Sequence, residues 1–171
     1  MSIARLLPAL PLLFASLPAF AQSDAKPAPS RDEWIQWGSA VHGGFGSHIA
    51  VGILIGQDAL KQLNLQRRQV TVTVTEGANA PCACMADGIT VATSASAGQK
   101  TLAVAPRSAD ASFLVKVEVR SKTDARAVVY TVPAAMIGPL AAMNPGKTPV
   151  QVFEAVAATP PAALFSSVMT N

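Results

Sequence analysis

One stretch of the sequence alternates strictly between two residue types, and it restricts the fold more than any other feature. Residues 69–75 read Gln-Val-Thr-Val-Thr-Val-Thr, so every second side chain is an apolar, β-branched valine. Successive side chains of a strand point to opposite faces of the sheet. The pattern therefore predicts a strand that buries Val70, Val72 and Val74 against a core.

Two helices are predicted before this strand. Ser30 is placed to cap the first helix, which the glycine-rich segment 43–46 ends. Ser47 is placed to cap the second helix. Gly52 and Gly56 lie four residues apart inside this second helix, where each glycine lowers stability by about 1 kcal/mol relative to alanine. We therefore expect another segment of the chain to pack closely against them.

The chain after the strand predicts one more helix, three more strands and a tail of short helices. In order, these are a helix over Cys84–Thr93, strands over 101–105, 112–120 and 126–132, and helical pieces near 134–143 and 148–157. Residues 121–125 connect the last two strands as a hairpin. This order predicts an α+β fold, with a mostly antiparallel sheet packed with N-terminal helices and short C-terminal helices.

The first 21 residues have the pattern of a secretory signal peptide. Arg5 precedes an apolar stretch, and Ala19-Phe20-Ala21 provides a small-x-small cleavage site. We expect residues 22–29 to form a flexible leader and residues 30–171 to form a single domain, in the periplasm or outside the cell. No later segment has 18 uninterrupted apolar residues, so no membrane span is expected after cleavage.

The composition excludes several classes of protein. Half of the residues are apolar and only 13% are charged, which argues against disorder. The net charge of +3 is a small excess, and the basic pair Arg67 and Arg68 has no aromatic residues interleaved with it, so no nucleic-acid partner is expected. Acidic residues are too scattered for a paired-carboxylate hydrolase. A small-molecule ligand and a homodimer are both compatible with this composition.

The residues that can carry chemistry lie in two short segments. His42 and His48, the only histidines, flank the glycine-rich segment. Cys82 and Cys84, the only cysteines, lie at the start of the predicted short helix, whose positive end favours a thiolate. A bridge across one intervening residue would close a very tight ring, so we expect metal binding or reactivity instead. Asp87 is a further ligand, or a group that orients a histidine.

Imidazole and thiolate donors together suit zinc, copper or iron rather than magnesium or calcium. Two other functions use the same residues. A pocket beside the glycines could hold a small organic ligand or haem through His42 or His48, although the sequence has no Cys-x-x-Cys-His motif for covalent attachment of haem. The Cys-x-Cys pair could also cycle between dithiol and disulfide as a thiol redox protein.

Two segments form a pattern that is similar to a known family. The first runs from His42 to Gly52 and reads His-Gly-Gly-Phe-Gly-Ser-His-Ile-Ala-Val-Gly. The second begins at Cys84 and reads Cys-Met-Ala-Asp-Gly-Ile, followed by Thr93 and Gly98. Together they resemble the His-Gly signature and the Cys-x-x-Asp-(Ala/Gly)-Ile segment of the FmdE family, which takes its name from a component of formylmethanofuran dehydrogenase.

This resemblance implies a site for a transition metal ion, with zinc expected. His42 and Cys84 would be its ligands, Asp87 a third ligand or the partner of a ligand, and His48 and Cys82 additional donors. We therefore expect the side chains of His42 and Cys84 to converge on one pocket.

The sequence departs from the pattern of that family. Gly44 and Gly46 stand where many members have a second histidine and a cysteine, and Ala95 stands where many have a cysteine. The cysteine-rich zinc module that follows in many relatives has no counterpart here. The signal-like N-terminus argues against membership of a cytoplasmic dehydrogenase complex. We therefore expect an exported, divergent member of the family.

Overall fold

The computed structural model of the chain describes residues 28–171. The predicted signal peptide, and residues 22–27 of the predicted leader, lie outside the described residues. The elements in chain order are α1 (Arg31–His42), α2 (Ser47–Leu63), β1 (Val70–Glu76), α3 (Cys84–Thr93), β2 (Leu102–Val104), β3 (Phe113–Ser121), β4 (Ala127–Pro133), a single 3-10 turn (Ala134–Met136), α4 (Ile137–Ala142), α5 (Pro149–Ala157), α6 (Pro161–Leu164) and β5 (Ser166–Thr170).

The strands of residues 28–171 form one five-stranded sheet in the order β2-β1-β3-β4-β5. In this sheet only the short β2 runs parallel to its neighbour β1, and the other three pairings are antiparallel. The predicted α+β class with a mostly antiparallel sheet is therefore confirmed. In β1 the side chains of Val70, Val72 and Val74 are buried, as the alternation predicts.

The core lies between the sheet and the first three helices. The buried valines of β1 and β3 belong to one apolar cluster with Ile49 and Ile53 of α2 and with Met85 and Ile89 of α3. Burial of such side chains is the main favourable term in folding. The predicted helix over Cys84–Thr93 has those bounds in the structure.

Helices α2 and α3 touch each other through their backbones. A Cβ atom added to Gly52 would overlap the carbonyl oxygen of Met85, and a Cβ added to Gly88 would lie 3.0 Å from the Cα of Gly52. A Cβ added to Gly56 would overlap the side chain of Ala92. The close packing expected at Gly52 and Gly56 is therefore present, and it determines where α3 starts relative to α2.

The two N-terminal helices begin in different ways. Ser30 caps α1, as predicted, and it does so in a capping box with Glu33. The prediction that Ser47 caps α2 is wrong, because Gly46 occupies the cap position and has no side chain to donate or accept. Ser47 is instead the first helical residue, and its hydroxyl donates to the carbonyl of Leu140. This partner is distant in sequence and has no local signature.

The last strand, β5, is a further difference from the sequence prediction, which gave the tail only helical pieces. Its five residues are all exposed, and it pairs with β4 along its length, with Val168 opposite Val129. A strand that buries no side chain leaves no alternation in the sequence, so hydrophobic pattern does not reveal it. Its formation depends on hydrogen bonds to a strand already in place.

Within residues 28–171, no single helix has the length and apolarity of a membrane span. Helices α1 and α2 are long and apolar enough only when they are counted as one segment, and they are bent by 118° relative to each other.

We predict that Gly52→Ala lowers the free energy of unfolding by about 1–3 kcal/mol or more, because the added methyl group meets a backbone carbonyl that cannot rotate away. Urea denaturation followed by circular dichroism measures the effect. Gly138→Ala in α4 is the matched control, because no atom of the described chain, apart from its chain neighbours and its own helix backbone, lies within 4 Å of the position of its Cβ. Equal stability losses in the two variants would contradict the close helix contact.

Candidate functional site

One cavity lies where the turn between α1 and α2 meets the start of α3. Its volume is about 380 Å³. Its walls are formed by His42, Gly43, Gly44, Phe45, Gly46, His48, Ile49 and Cys84. The structure thus places both histidines and Cys84 around a single space, although His42 and Cys84 are far apart in sequence.

The turn before α2 gives the cavity its shape. Gly43 ends α1 with a φ of 83°, a left-handed conformation that side-chain-bearing residues rarely adopt. His42 is consequently the last residue of α1, and His48 lies in the first turn of α2. The side-chain oxygen of Asn144 accepts a hydrogen bond from the backbone N–H of Ser47 at 2.9 Å, which fastens the start of α2 to the segment after α4.

His42 and Asp87 form the principal polar contact of the site. The Nδ1 atom of His42 lies 2.7 Å from the Oδ2 atom of Asp87. A carboxylate can only accept, so Nδ1 carries the proton and donates, and Nε2 of the neutral ring keeps its lone pair. A carboxylate on one ring nitrogen is the arrangement that orients a metal-binding histidine through the other.

His48 contributes a second imidazole in a different environment. Its Nε2 atom is buried and has no hydrogen-bond partner among residues 28–171. Burial lowers the pKa of His48 below its ordinary value, because the charged form loses hydration. The ring is therefore held neutral, with its buried Nε2 atom unsatisfied.

Cys82 and Cys84 form a disulfide, and the expectation that they do not pair is wrong. The backbone bends at Ala83, with φ −79° and ψ 22°. The two Cα atoms are therefore 5.3 Å apart, within the usual disulfide range of about 4.4–6.8 Å. Sequence spacing alone did not show this bend. In the oxidised form neither sulfur is a thiolate.

The oxidised site does not fit a zinc ion. Among the described residues no group of three or more histidine, cysteine, aspartate or glutamate side chains is arranged to hold a metal. Zinc takes thiolate sulfur rather than disulfide sulfur. Reduction of the bridge would free the sulfur of Cys84, which lines the cavity with the two histidines, and also the sulfur of Cys82. Only the reduced form offers thiolate ligands to zinc.

Asn144 was not among the residues predicted for the site, and it holds the cavity wall by its hydrogen bond to the start of α2. A Cβ added to Gly46 would lie 3.4 Å from the amide oxygen of Asn144, so the small residue and the amide fit each other. Its amide also donates to the carbonyl of Leu140 in α4, but the contact that matters for the cavity is with Ser47, which is distant in sequence and leaves no local signature.

Comparison with known proteins identifies one family. The family model described as "FmdE, Molybdenum formylmethanofuran dehydrogenase operon" matches residues 41–151. The matched region contains all five candidate residues. No curated protein matches the chain.

We predict that the metal-free protein loses stability as the pH falls below about 6.5, the ordinary pKa of histidine. The pKa of His48 is lower in the folded protein than in the unfolded chain, so the unfolded chain binds more protons in this range. The free energy of unfolding therefore decreases as the pH decreases. Urea midpoints measured from pH 7.5 to pH 5 report the effect. His48→Gln should flatten the profile relative to the wild type. Identical slopes in the wild type and in His48→Gln would contradict the assignment.

Proposed function

The chain belongs to the FmdE family, and we propose that it binds a transition metal ion, zinc in first place, in the cavity between α1, α2 and α3 once the Cys82–Cys84 bridge is reduced. We propose further that it acts in the periplasm or outside the cell, on the basis of its N-terminal sequence pattern. The single observation that carries the metal proposal is the 2.7 Å contact between His42 and Asp87 in a cavity that also contains Cys84.

Each residue has a distinct part in this proposal. Nε2 of His42 and Sγ of Cys84 bind the ion, and Asp87 keeps the proton on Nδ1 so that Nε2 stays free. His48 and Cys82 are the remaining donors on the same side of the fold. Together they make a mixed nitrogen and sulfur set, which is the set that zinc prefers.

The oxidation state decides whether these donors exist. A dithiol reductant supplies two electrons and two protons, is itself oxidised to a disulfide, and converts the bridge into two thiols. A bound ion then displaces the thiol protons, because only the thiolate is a ligand. The disulfide and the metal-bound form use the same sulfur atoms and exclude one another.

We predict that the reduced protein binds about one zinc per chain and that the oxidised protein binds none. Both forms are stripped with a chelator, dialysed against zinc and analysed by mass spectrometry for metal content. His42→Ala and Cys84→Ser should each abolish stoichiometric zinc. Asp87→Asn should weaken binding about 10–100-fold, the usual effect of removing the partner of a metal-binding histidine.

Asp110→Asn is the matched control for Asp87→Asn, because Asp110 is an exposed carboxylate outside the cavity. It should leave zinc affinity unchanged. Zinc content that is the same in the wild type, His42→Ala and Cys84→Ser would contradict the proposed site.

A second candidate function is thiol–disulfide exchange, and the bridge itself favours it. Cys84 is the first residue of the ten-residue helix α3, where the helix dipole stabilises a thiolate. In this reaction one cysteine thiolate attacks a disulfide in a partner molecule to give a mixed disulfide. The other cysteine then displaces the partner's thiol and closes the Cys82–Cys84 bridge.

We predict for this function that the bridge exchanges reversibly with glutathione, so that alkylation after equilibration in defined glutathione buffers yields a reduction potential. The reduced protein should also reduce insulin disulfides, and Cys82→Ser should stop turnover. Zinc that protects both thiols from alkylation, together with no insulin reduction, would favour metal binding and exclude this second function.

A further inference from the structure

A second and larger cavity lies at the opposite end of the helical layer. Its volume is about 770 Å³, within the size range of small-molecule sites. We call it the Arg67 cavity, and we define it by the wall residues Trp34, Leu60, Lys61, Leu65 and Arg67. It uses the start of α1, the end of α2 and the loop that follows.

The Arg67 cavity is separate from the site of the two histidines. At one end, His42 in the last turn of α1 contacts Asp87 in the first turn of α3. At the other end, Trp34 near the start of α1 lines the Arg67 cavity together with Ala92 near the end of α3. Helices α1 and α3 are therefore antiparallel. Cys84 and Ala92 are about 12 Å apart along α3, at a rise of about 1.5 Å per residue.

The guanidinium of Arg67 is held in place by aromatic rings. Its central carbon lies 5.7 Å from the ring centroid of Trp34 and 5.2 Å from that of Trp37. Its Nη2 atom donates a hydrogen bond to the carbonyl of Val91 at 2.8 Å. These contacts fix the direction of the remaining donors without neutralising the charge.

One donor of this cation is unsatisfied. The Nε atom of Arg67 is buried and has no hydrogen-bond partner within the described part of the chain. Burial lowers the pKa of Arg67, with a smaller contribution from the charge of Arg68, yet an arginine stays protonated in proteins. A partly buried cation with an unsatisfied donor and no counter-charge is costly, and an anion held in the cavity by the remaining guanidinium N–H groups would offset that cost.

The rest of the wall has the charge and polarity that such an anion requires. Lys61 adds a second cation, and no aspartate or glutamate of the described chain belongs to the wall. Neither Lys61 nor Arg67 is paired with a carboxylate anywhere in residues 28–171. Trp34, Leu60 and Leu65 provide apolar surface beside the two cations.

We propose that the Arg67 cavity binds an amphipathic organic anion, with its carboxylate on Arg67 and Lys61 and its apolar body against Trp34, Leu60 and Leu65. A charged head and an apolar body match the two parts of the wall, whereas a simple inorganic anion would leave the apolar part uncovered. This proposal does not depend on the metal proposal, because it uses none of the same residues.

The natural fluorescence of the protein tests this proposal. The chain has two tryptophans, and both lie against Arg67, so their emission reports on the cavity directly. The probe is octanoate at concentrations below its micelle range. The comparison compounds are octanol, which has the tail without the charge, and sulfate, which has charge without a tail. We expect saturable binding of octanoate, and at least about tenfold weaker binding of either comparison compound.

Three variants localise the binding. Arg67→Gln should weaken octanoate binding about tenfold or more, since charge-assisted hydrogen bonds are the strong ones. Lys61→Gln should weaken it less, and its exposed position on α2 preserves the fold. Arg68→Gln is the matched control, because it removes the same charge one residue away, outside the cavity wall.

Several results would overturn the proposal. Octanol binding as tightly as octanoate would show an apolar surface without a preference for anions. Equal weakening by Arg67→Gln and Arg68→Gln would show diffuse charge rather than a site. A dimer detected by light scattering, with tryptophan emission that changes on dilution but not with octanoate, would show that a second copy covers the cavity instead.

Discussion

The backbone contact between α2 and α3 is the constraint on which the candidate site depends. Gly52 and Gly88 face each other so closely that neither position has room for a side chain. This contact fixes the start of α3 beside the turn before α2. Cys84 therefore borders the same cavity as His42 and His48, and Asp87 reaches the imidazole of His42. A larger residue in either helix would separate the two halves of the site.

The donors that the site can offer depend on the oxidation state of Cys82 and Cys84, which are either a disulfide or two thiols. As a disulfide, Cys82 and Cys84 leave only nitrogen and carboxylate donors around the cavity. As thiolates, they would complete a set suited to zinc. The membership of the FmdE family is consistent with a metal-related role, and the metal binding that we propose requires the bridge to be reduced. The Arg67 cavity at the other end of α1 and α3 is a second proposed binding site, of different chemistry.

Several elements could be predicted from the sequence because their signals are local. The alternation of valine and threonine predicted β1, the capping residue Ser30 predicted the start of α1, and the bounds of α3 agree with the prediction residue for residue. In each case the pattern that stabilises the element lies within it. The edge strand β5 was missed because pairing with β4, rather than burial of its own side chains, stabilises it.

The sequence by itself determined the fold class, the family, and the residues able to carry chemistry, since these depend on residue type and on spacing along the chain. Only the tertiary structure decided which of those residues meet. The bend at Ala83 joined the two cysteines, and the packing of α1 against α3 brought His42 to Asp87. The stacking of Trp34 and Trp37 held Arg67 with an unsatisfied donor. Such contacts join residues far apart in sequence or depend on local backbone angles, and residue spacing alone encodes neither.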